Sequence, residues 1–351
     1  KKLKPIISNF NIWKKEAVKP RMKEFQIHYK FIEPQIFAEE YIGDNLNDYK
    51  FYCFNGNIAY IKIMKDRLTI ALQKSGRLSN ESQEVLKKSG VKFQTRDSKL
   101  LIKSNSFPVD ILFVRDDDIP NLVNNGDADL AIIGQNELLE KTLSKNLNQI
   151  STLLKLGFSK CRLSFAIPEG VNFESLKDMK IATSYPNIVQ NYLNKNFINA
   201  NVSDIHGSVE LMPHIGICDC ICDLVSSGAT LEANNLKELD TIMHSEAVLI
   251  SNNNIKKSKL KLADTLTNRI KGVINARESK YVMLNAPLGN VDKICKLLPG
   301  SESPTIIPLE NKDKVAIHSL CQEPVFWGTM EELKANGASS ILVLPVEKVL
   351  S

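Results

Sequence analysis

The sequence predicts an α/β fold with two lobes, a ferredoxin-like C-terminal module and a hairpin-containing N-terminal extension. Three observations support this prediction. Apolar strands alternate with helix-like segments from residue 68 onward, extended runs at 162–168 and 246–251 bracket residues 169–245, and the tail reads β-α-β-β-α-β. The 351 residues are enough for two or three domains.

The N-terminal extension, residues 1–63, contains a predicted β-hairpin. Asn55-Gly56 separates two runs of aromatic and β-branched residues at 49–54 and 58–63. Asn-Gly favours a two-residue hairpin turn because both central residues need positive φ. A hairpin with little else buries little apolar surface, so the extension should be marginally stable alone.

The first lobe, residues 64–162 with 246–276 returning to it, is predicted from strands followed by helices. Ser79 is the expected N-cap of its first helix, with Gly90 just past the end. Its expected strands are 68–73, 109–115 and 129–133, and its expected helices are 79–89 and 118–125, with Pro120 in the first turn of the second helix.

The second lobe, residues 163–245, repeats this arrangement. Its strands are expected at 180–183 and 220–225, and its helices from near Pro186, after a Ser184 cap, and over 231–239. Such lobes place a cleft between the carboxyl ends of their sheets, where ligands bind in α/β proteins.

The C-terminal module, residues 277–351, is predicted to be ferredoxin-like, a pattern often used to bind a metabolite or a partner. The expected strands are 281–286, 305–308, 315–320 and 340–345, and the expected helices are 291–298 and 326–336.

Composition narrows the class of protein. Hydrophobic residues make up 43% and charged residues 24%, as in soluble globular proteins, and no apolar run is long enough to cross a membrane. Seven scattered cysteines and no secretory signal favour a cytoplasmic protein. Of the 45 Lys+Arg and 40 Asp+Glu, 11 and 7 lie in residues 1–63. The remaining 34 and 33 nearly cancel, which argues against nucleic-acid binding.

The stretch "CDLVSSGATLEAN", residues 222–234, ends an apolar strand in small hydroxyl residues before a helix. One interpretation is a simple turn with Thr230 as N-cap. The other is a phosphate pocket, in which Gly228 admits the ligand to the backbone and Ser226, Ser227 and Thr230 add hydroxyl donors. Asp223 would then accept hydrogen bonds from sugar hydroxyls.

Two further stretches carry charges that suit nucleotide chemistry. In "LQKSGRLS", Lys74 and Arg77 flank a glycine at a strand end, which suits a polyphosphate or a solvated turn. In "RDDDIP", Asp116 and Asp117 are candidates to hold Mg²⁺ or a purine amine, while Asp118 is the expected helix cap.

The cysteines and histidines show no catalytic or metal-binding spacing. Cys218, Cys220 and Cys222 alternate and are interpreted as small buried hydrophobic residues, because no second cluster accompanies them. The histidines form no H-x-x-x-H arrangement, and no Gly-x-Ser-x-Gly elbow occurs.

Eight segments in order carry a family resemblance: "LQKSGRLS", "PVDILFVRDDDIP", "ADLAIIGQN", "KIATSYPN", "GSVE", "ICDLVSSGATLEAN", "ARESKYVMLNAP" and "GASSILVLPVEK". From about Met64 to Ser351 the chain closely resembles ATP phosphoribosyltransferase in its long, histidine-regulated form. The resemblance implies a catalytic body like the type II periplasmic binding proteins and an ACT-like regulatory domain.

The resemblance also implies the reaction, which condenses ATP with phosphoribosyl pyrophosphate and releases pyrophosphate, with Mg²⁺ held through the substrate phosphates. The resemblance implies that histidine is the feedback inhibitor. It also implies that the protein assembles into dimers that interconvert with hexamers. The residues implied to hold phosphoribosyl pyrophosphate are Glu210, Asp223, Ser226, Ser227, Gly228, Ala229 and Thr230. Those implied to face ATP and the leaving pyrophosphate are Lys74, Arg77, Arg115 and Asp116.

Residues 1–63 depart from that family. "YKFIEPQIFAEEYIGDNLNDYKFYCFNG" resembles part of the TupA-like ATP-grasp proteins, whose Glu-rich hinge contacts adenosine, as Glu39-Glu40 would here. Neither a phosphate loop nor a metal-binding carboxylate pair accompanies it. The segment is interpreted as a truncated fusion, a gene remnant or an assembly error.

Two other functions fit a two-lobed body. A solute-binding protein would need export, for which the sequence shows no signal, and would not need the C-terminal module. A non-catalytic regulatory protein would not need Lys74, Arg77, Asp223, Gly228 and Thr230 together.

Overall fold

The computed structural model describes residues 47–54, 57–94, 99–277, 279–298, 303–321 and 327–349. The chain divides into two compact units, Lys1–Arg67 with Lys256–Lys261, and Leu68–Ile255 with Leu262–Ser351. Across the described parts of the chain, no helix has the length and apolar character to span a membrane.

The smaller unit contains the predicted hairpin. β1 (Asn47–Phe54) pairs antiparallel with β2 (Asn57–Lys65), with a register shift between Tyr52 and Cys53. Both predicted strands are confirmed, and each is longer than expected. The Asn55-Gly56 turn and the ATP-grasp-like stretch before residue 47 lie outside the described residues.

Lobe I is built on a six-stranded sheet with the order β4-β5-β3-β6-β13-β7. Its strands are β3 (Leu68–Gln73), β4 (Leu101–Lys103), β5 (Val109–Val114), β6 (Leu130–Gly134), β7 (Ile150–Lys155) and β13 (Ala247–Asn252). β3 runs parallel to β5 and β6, while β13 runs antiparallel to β6 and β7. The three strands predicted for this lobe are confirmed to within one residue.

The helices of lobe I are α1 (Arg77–Lys88), α2 (Ile119–Asn125), α3 (Gln135–Ser144) and α6 (Lys257–Arg277). The predicted cap of α1 is wrong, because Gly76 at φ 94° precedes the helix and Ser79 is buried inside it. Gly90 is confirmed past the end of α1. At φ 87° it closes the helix with its amide on the Lys87 carbonyl.

Lobe II is built on a five-stranded sheet with the order β10-β9-β11-β8-β12. Its strands are β8 (Cys161–Pro168), β9 (Lys180–Thr183), β10 (Asn201–Asp204), β11 (Cys220–Val225) and β12 (Leu236–Ser245). β9 runs parallel to β10 and β11, while β8 runs antiparallel to β11 and β12.

The helices of lobe II are α4 (Pro186–Lys195) and α5 (Ala229–Ala233). The predicted start of α4 near Pro186 is confirmed, whereas its predicted cap and the predicted bounds of α5 are wrong. Tyr185 is the N-cap residue of α4, and the Ser184 hydroxyl instead donates to the Ile205 carbonyl at 2.8 Å. The helix predicted over 231–239 ends at residue 233. Asn235 has a positive φ of 47°, and pairing with β8 converts the following residues into strand β12.

Both sheets share one strand order. In lobe I the order is β5-β3-β6, with the antiparallel strand β13 beside β6. In lobe II the order is β10-β9-β11, with the antiparallel strand β8 beside β11. β8 carries the chain into lobe II, and β13 brings it back to lobe I. The predicted α/β fold class with two lobes is therefore confirmed, because the extended runs that bracket lobe II lie one in each sheet, where the chain enters lobe II and where it returns to lobe I.

The C-terminal module is a four-stranded antiparallel sheet with the order β15-β16-β14-β17. Its elements are β14 (Lys280–Pro287), α7 (Val291–Leu297), β15 (Thr305–Pro308), β16 (Lys314–Cys321), α8 (Trp327–Ala335) and β17 (Ser339–Pro345). Val282, Ile294, Ile317 and Leu333 are fully buried and form its core. This order confirms the predicted ferredoxin-like pattern.

Candidate functional site

Lobe I places its cationic candidates on two adjacent strand ends. Gln73 at the end of β3 pairs with Val114 at the end of β5, so Lys74 and Arg115 follow side by side. The Lys74 amide donates to the Val114 carbonyl at 2.8 Å, which ties the two strand ends together. Both side chains are exposed at this carboxyl edge of the sheet.

Arg77 is the first residue of α1, and 70% of its side chain is exposed. Its guanidinium lies 3.8 Å from the Glu81 carboxylate one turn later. An exposed ion pair of this kind contributes little to stability. Arg77 therefore remains available to a ligand at the strand edge.

The three consecutive aspartates form a short 3₁₀ helix, Asp116–Asp118, that leads into α2. Gln73 donates to Asp116 at 3.2 Å, which fixes this carboxylate beside the end of β3. Asp118 occupies the N-cap position as predicted, but its side chain makes no capping hydrogen bond. Asp117 is exposed.

In lobe II, the hydroxyl-rich turn follows β11 directly. Gly228 is the N-cap of α5 with φ 88°, and Ser226, Ser227, Ala229 and Thr230 are all exposed. Thr230 lies inside the helix, so its predicted role as N-cap is wrong. Since α5 has only five residues, an anion here would rest on backbone amides and hydroxyls more than on a helix dipole.

The amides of this turn are open to a ligand. Within the described chain, the Ala229 amide has only a long contact of 3.4 Å with the Ser227 hydroxyl. The amides of Ser227 and Gly228 donate to no atom of the described residues. Adjacent free N–H groups on a glycine-containing turn suit an anion.

Two carboxylates lie near this turn. Burial raises the pKa of Asp223, and the negative charge of nearby Glu210 raises it further. Glu210 comes from a 3₁₀ helix, Val209–Leu211, at the same end of the sheet. The structure therefore brings Glu210 and Asp223 together, as the family resemblance implies.

The first residue of β8 lies within electrostatic reach of Arg77, and the second contacts the hydroxyl-rich turn. Burial raises the pKa of the Cys161 thiol, while a hydrogen bond with Ser245 and the charge of nearby Arg77 lower it. The neighbouring Arg162 donates to the Ser226 carbonyl at 3.3 Å. The cationic turn of lobe I and the hydroxyl-rich turn of lobe II thus flank the same short segment.

A buried cluster that the sequence did not reveal lies between the lobes. Burial and the Glu137 carboxylate raise the pKa of Tyr185, with a smaller contribution from Asp223. Glu137 has a pKa raised by burial, lowered by its hydrogen bond with Tyr185 and raised by the charge of Asp116. Tyr185 therefore lies within electrostatic reach of carboxylates from both lobes.

A second interlobe contact replaces the missing cap of α4. Glu140 of α3 is 6% exposed and accepts hydrogen bonds from the amides of Asn187 and Ile188, both at 2.9 Å. It also accepts a bond of 2.6 Å from the Asn187 side chain. A carboxylate of lobe I thus satisfies the first turn of a helix in lobe II.

Some of these residues carried a sequence signal and others did not. Glu137 and Tyr185 follow the carboxyl ends of predicted strands, so the rule that ligands bind at strand ends could have found them, although the sequence analysis named neither residue. Arg162 and Glu140 lie at a strand start and within a helix, positions that no motif singled out. Cys218, Cys220 and Cys222 are buried, which confirms their interpretation as small hydrophobic residues.

A two-lobed α/β body with a cationic turn in one lobe and a hydroxyl-rich turn in the other fits a protein that acts on phosphorylated ligands. A family model described as ATP phosphoribosyltransferase matches residues 115–272, and one described as the C-terminal domain of the same enzyme matches residues 276–348. Together they match well over half of the chain. The chain therefore belongs to the ATP phosphoribosyltransferase family, in the long form that carries a C-terminal domain.

The chain is also similar to solved structures. It is 29% identical to a chain of the ATP phosphoribosyl transferase (HisG:HisZ) complex from Thermotoga maritima, covering 59% of this chain and 98% of that chain at a TM-score of 0.52. The alkanesulfonate-binding protein SsuA from Xanthomonas axonopodis pv. citri is 13% identical, covering 59% and 74%, at a TM-score of 0.39. That second likeness is too weak to bear on function.

Family membership confirms the predicted enzyme class. Members of this family are phosphoribosyltransferases that act in histidine biosynthesis, and the long form is typically inhibited by histidine. The assignment of particular site residues and of the domain boundaries at 63, 162, 245 and 276 stays a prediction.

Proposed function

We propose that the chain condenses ATP with phosphoribosyl pyrophosphate between its two lobes, giving N1-(5-phosphoribosyl)-ATP and pyrophosphate. One observation supports this location most directly. Arg77 lies within electrostatic reach of Cys161, and Arg162 donates a hydrogen bond to the Ser226 carbonyl, so adjacent residues of β8 lie near one predicted substrate turn and contact the other. The two substrates would then meet over the start of that strand.

In lobe II, the turn of Ser226, Ser227, Gly228, Ala229 and Thr230 would bind the 5-phosphate of phosphoribosyl pyrophosphate. The open amides and exposed hydroxyls there are suitable donors. Asp223 would accept hydrogen bonds from the ribose hydroxyls, with Glu210 beside it. This arrangement fixes the sugar while leaving its anomeric carbon free to react.

In lobe I, Lys74, Arg77, Arg115 and Asp116 would face ATP and the leaving pyrophosphate. As the anomeric C–O bond breaks, the electron pair leaves with pyrophosphate, and adenine N1 supplies the pair for the new C–N bond. No protein nucleophile is required. Cations at the strand edge stabilise the charge that accumulates on the leaving group, and the lobes hold the reactants in line.

Members of the family generally use Mg²⁺. Over the residues that the structure describes, no group of three or more His, Cys, Asp or Glu side chains could hold a metal ion. We propose that Mg²⁺ arrives on the substrate phosphates.

The C-terminal module would bind histidine as feedback inhibitor, and the chain would form dimers and hexamers in the cytoplasm. The ferredoxin-like order of the module supports a ligand-binding role. The extension before residue 64 has no part in this reaction.

A direct assay tests the proposal. Purified protein is mixed with ATP, phosphoribosyl pyrophosphate and Mg²⁺, and pyrophosphate release is followed with and without histidine. We expect release that requires both substrates and falls when histidine is added. Binding of either substrate with no pyrophosphate release would favour a non-catalytic regulatory or solute-binding protein on the same fold.

A further inference from the structure

Arg162 makes an arrangement of contacts that the proposed chemistry does not use directly. Its guanidinium donates to both carboxylate oxygens of Glu238 at 2.5 Å through Nε and Nη2, and its remaining Nη1 reaches the Ser226 carbonyl at 3.3 Å. A planar guanidinium held at two points by a carboxylate has little rotational freedom. Glu238 therefore fixes where the third donor points.

The position of Arg162 relative to the turn follows from the sheet. Arg162 of β8 pairs with Val225 of β11, the residue immediately before the turn begins. Glu238 comes from β12, the strand on the other side of β8. The guanidinium thus links the outer strand β12 to the first peptide after β11.

The contact with Ser226 sets the direction of one peptide group. In a planar trans peptide, the carbonyl of residue 226 and the N–H of residue 227 point in opposite directions. Because Arg162 holds the carbonyl, the Ser227 amide faces away from Arg162. That amide donates to no atom of the described residues, so it is available to an anion. If the peptide flipped, a carbonyl oxygen would take its place and repel a phosphate.

We propose that Arg162 is a positioning residue for phosphoribosyl pyrophosphate, which holds the Ser226–Ser227 peptide in its anion-binding orientation while Glu238 holds the guanidinium. This inference rests on the proposed function, because it needs the turn to be the phosphate site. It differs from a direct role, in which Arg162 itself would bind the substrate phosphate.

The variant Glu238→Gln separates these two roles by the sign of its effect. If Arg162 acts through the peptide, loosening the guanidinium raises the KM for phosphoribosyl pyrophosphate. We expect roughly a tenfold increase, because losing one hydrogen bond to a charged group weakens binding by about that factor. The KM for ATP stays unchanged. If Arg162 binds the phosphate itself, removing the competing carboxylate lowers the KM for phosphoribosyl pyrophosphate, which would overturn the proposal.

Arg162→Met should raise the KM for phosphoribosyl pyrophosphate by at least as much as Glu238→Gln does. Arg162→Lys should give a smaller increase than Arg162→Met. Arg269→Met is the matched control, since it removes another arginine, one that lies over the Phe107 ring in lobe I. Calorimetric titration of each variant with phosphoribosyl pyrophosphate gives binding without turnover. Unchanged affinity in Arg162→Met would contradict the proposal.

Gly228→Val distinguishes failure of this inference from failure of the proposed function. If Gly228→Val loses affinity for phosphoribosyl pyrophosphate and Arg162→Met does not, the turn is the phosphate site and Arg162 has no positioning role. If neither variant loses affinity, the phosphate site lies elsewhere. In either case the Arg162 proposal is rejected.

Discussion

The two turns that we propose to bind the substrates differ in the groups that they offer to a ligand. Each follows a parallel strand, and each leads into a helix after a glycine with positive φ, Gly76 at φ 94° and Gly228 at φ 88°. Neither helix has a side-chain cap. The turn of lobe I adds Lys74 and Arg77, whereas the turn of lobe II adds only hydroxyls and amides.

The difference suits two anions with different fates. A phosphate that stays on the sugar needs donors in fixed positions, which backbone amides provide. A pyrophosphate that gains charge as it leaves needs full positive charges, which lysine and arginine provide. We infer that lobe II holds its ligand by shape and lobe I by charge, and the following changes test that contrast.

Gly228→Val should have the largest effect, a loss of about 100-fold or more in kcat/KM for phosphoribosyl pyrophosphate. A β-branched residue is strained at φ 88°, although a Cβ there would meet no atom within 4 Å. Gly170→Val is the matched control, because Gly170 has φ 83° and equal open space. Both variants should lose similar stability in thermal unfolding, and only Gly228→Val should lose activity. Equal activity losses would mean that strain alone explains the effect.

Arg77→Ala should lower kcat by about 100-fold, because a cation facing the leaving group acts mainly in the transition state. Lys88→Ala is its control at the other end of α1, where Lys88 pairs with Glu84 at 2.7 Å, as Arg77 pairs with Glu81. Each change should cost at most about 0.5 kcal/mol of stability. Normal turnover in Arg77→Ala would remove this residue from the site.

Glu140→Gln tests whether the two turns depend on a rigid junction between the lobes. The substitution leaves the amide of Asn187 or Ile188 facing an NH₂ group, so we expect a loss of about 1–3 kcal/mol in the free energy of unfolding. KM for both substrates should rise by only a few fold, because the substitution loosens the junction between the lobes but leaves both turns intact. A change confined to one substrate would show that Glu140 serves one turn only.

The pH dependence of activity tests the role that we propose for Asp223 in lobe II. In the role that we propose, the ionised Asp223 carboxylate accepts hydrogen bonds from the ribose hydroxyls with both oxygens, and burial with the Glu210 charge raises its pKa above the ordinary 3.8. Activity should therefore fall on acidification at a higher pH than an ordinary aspartate would give. In Glu210→Gln, the acid limb of log kcat/KM should move to lower pH. In Asp223→Asn, that limb should be absent, while the titration of ATP, common to all variants, is unchanged.

Deletion of residues 1–63 should have the smallest effect. The hairpin belongs to a different compact unit from both turns, so kcat and both KM values should equal those of the full chain. A folded but inactive truncation, shown by circular dichroism and pyrophosphate release, would give the extension a role in catalysis.

The alternation of strands and helices could be predicted from the sequence because buried parallel strands are short apolar runs bounded by turn residues. β3, β9 and β11 are strands of this kind and have the predicted bounds. The exposed antiparallel strand β15 also has its predicted bounds. The exceptions share a cause. Helix α5 stops early because β12 pairs with β8, and α4 lacks its predicted cap because Glu140 takes that role from another lobe. Contacts from distant parts of the chain overrode local signals at both places.

By itself, the sequence determined the order of the elements, the residue types at each strand end and the family. These depend on local periodicity and on contiguous motifs. Only the tertiary structure decided which side chains meet: Glu137 with Tyr185, Glu140 with the first turn of α4, and Arg162 with Glu238 and Ser226. The physical reason is that these partners are separated by about 48 to 76 residues, so the Glu137 and Glu140 contacts exist only once both lobes have formed, and the Arg162 contacts exist only once the lobe II sheet has formed.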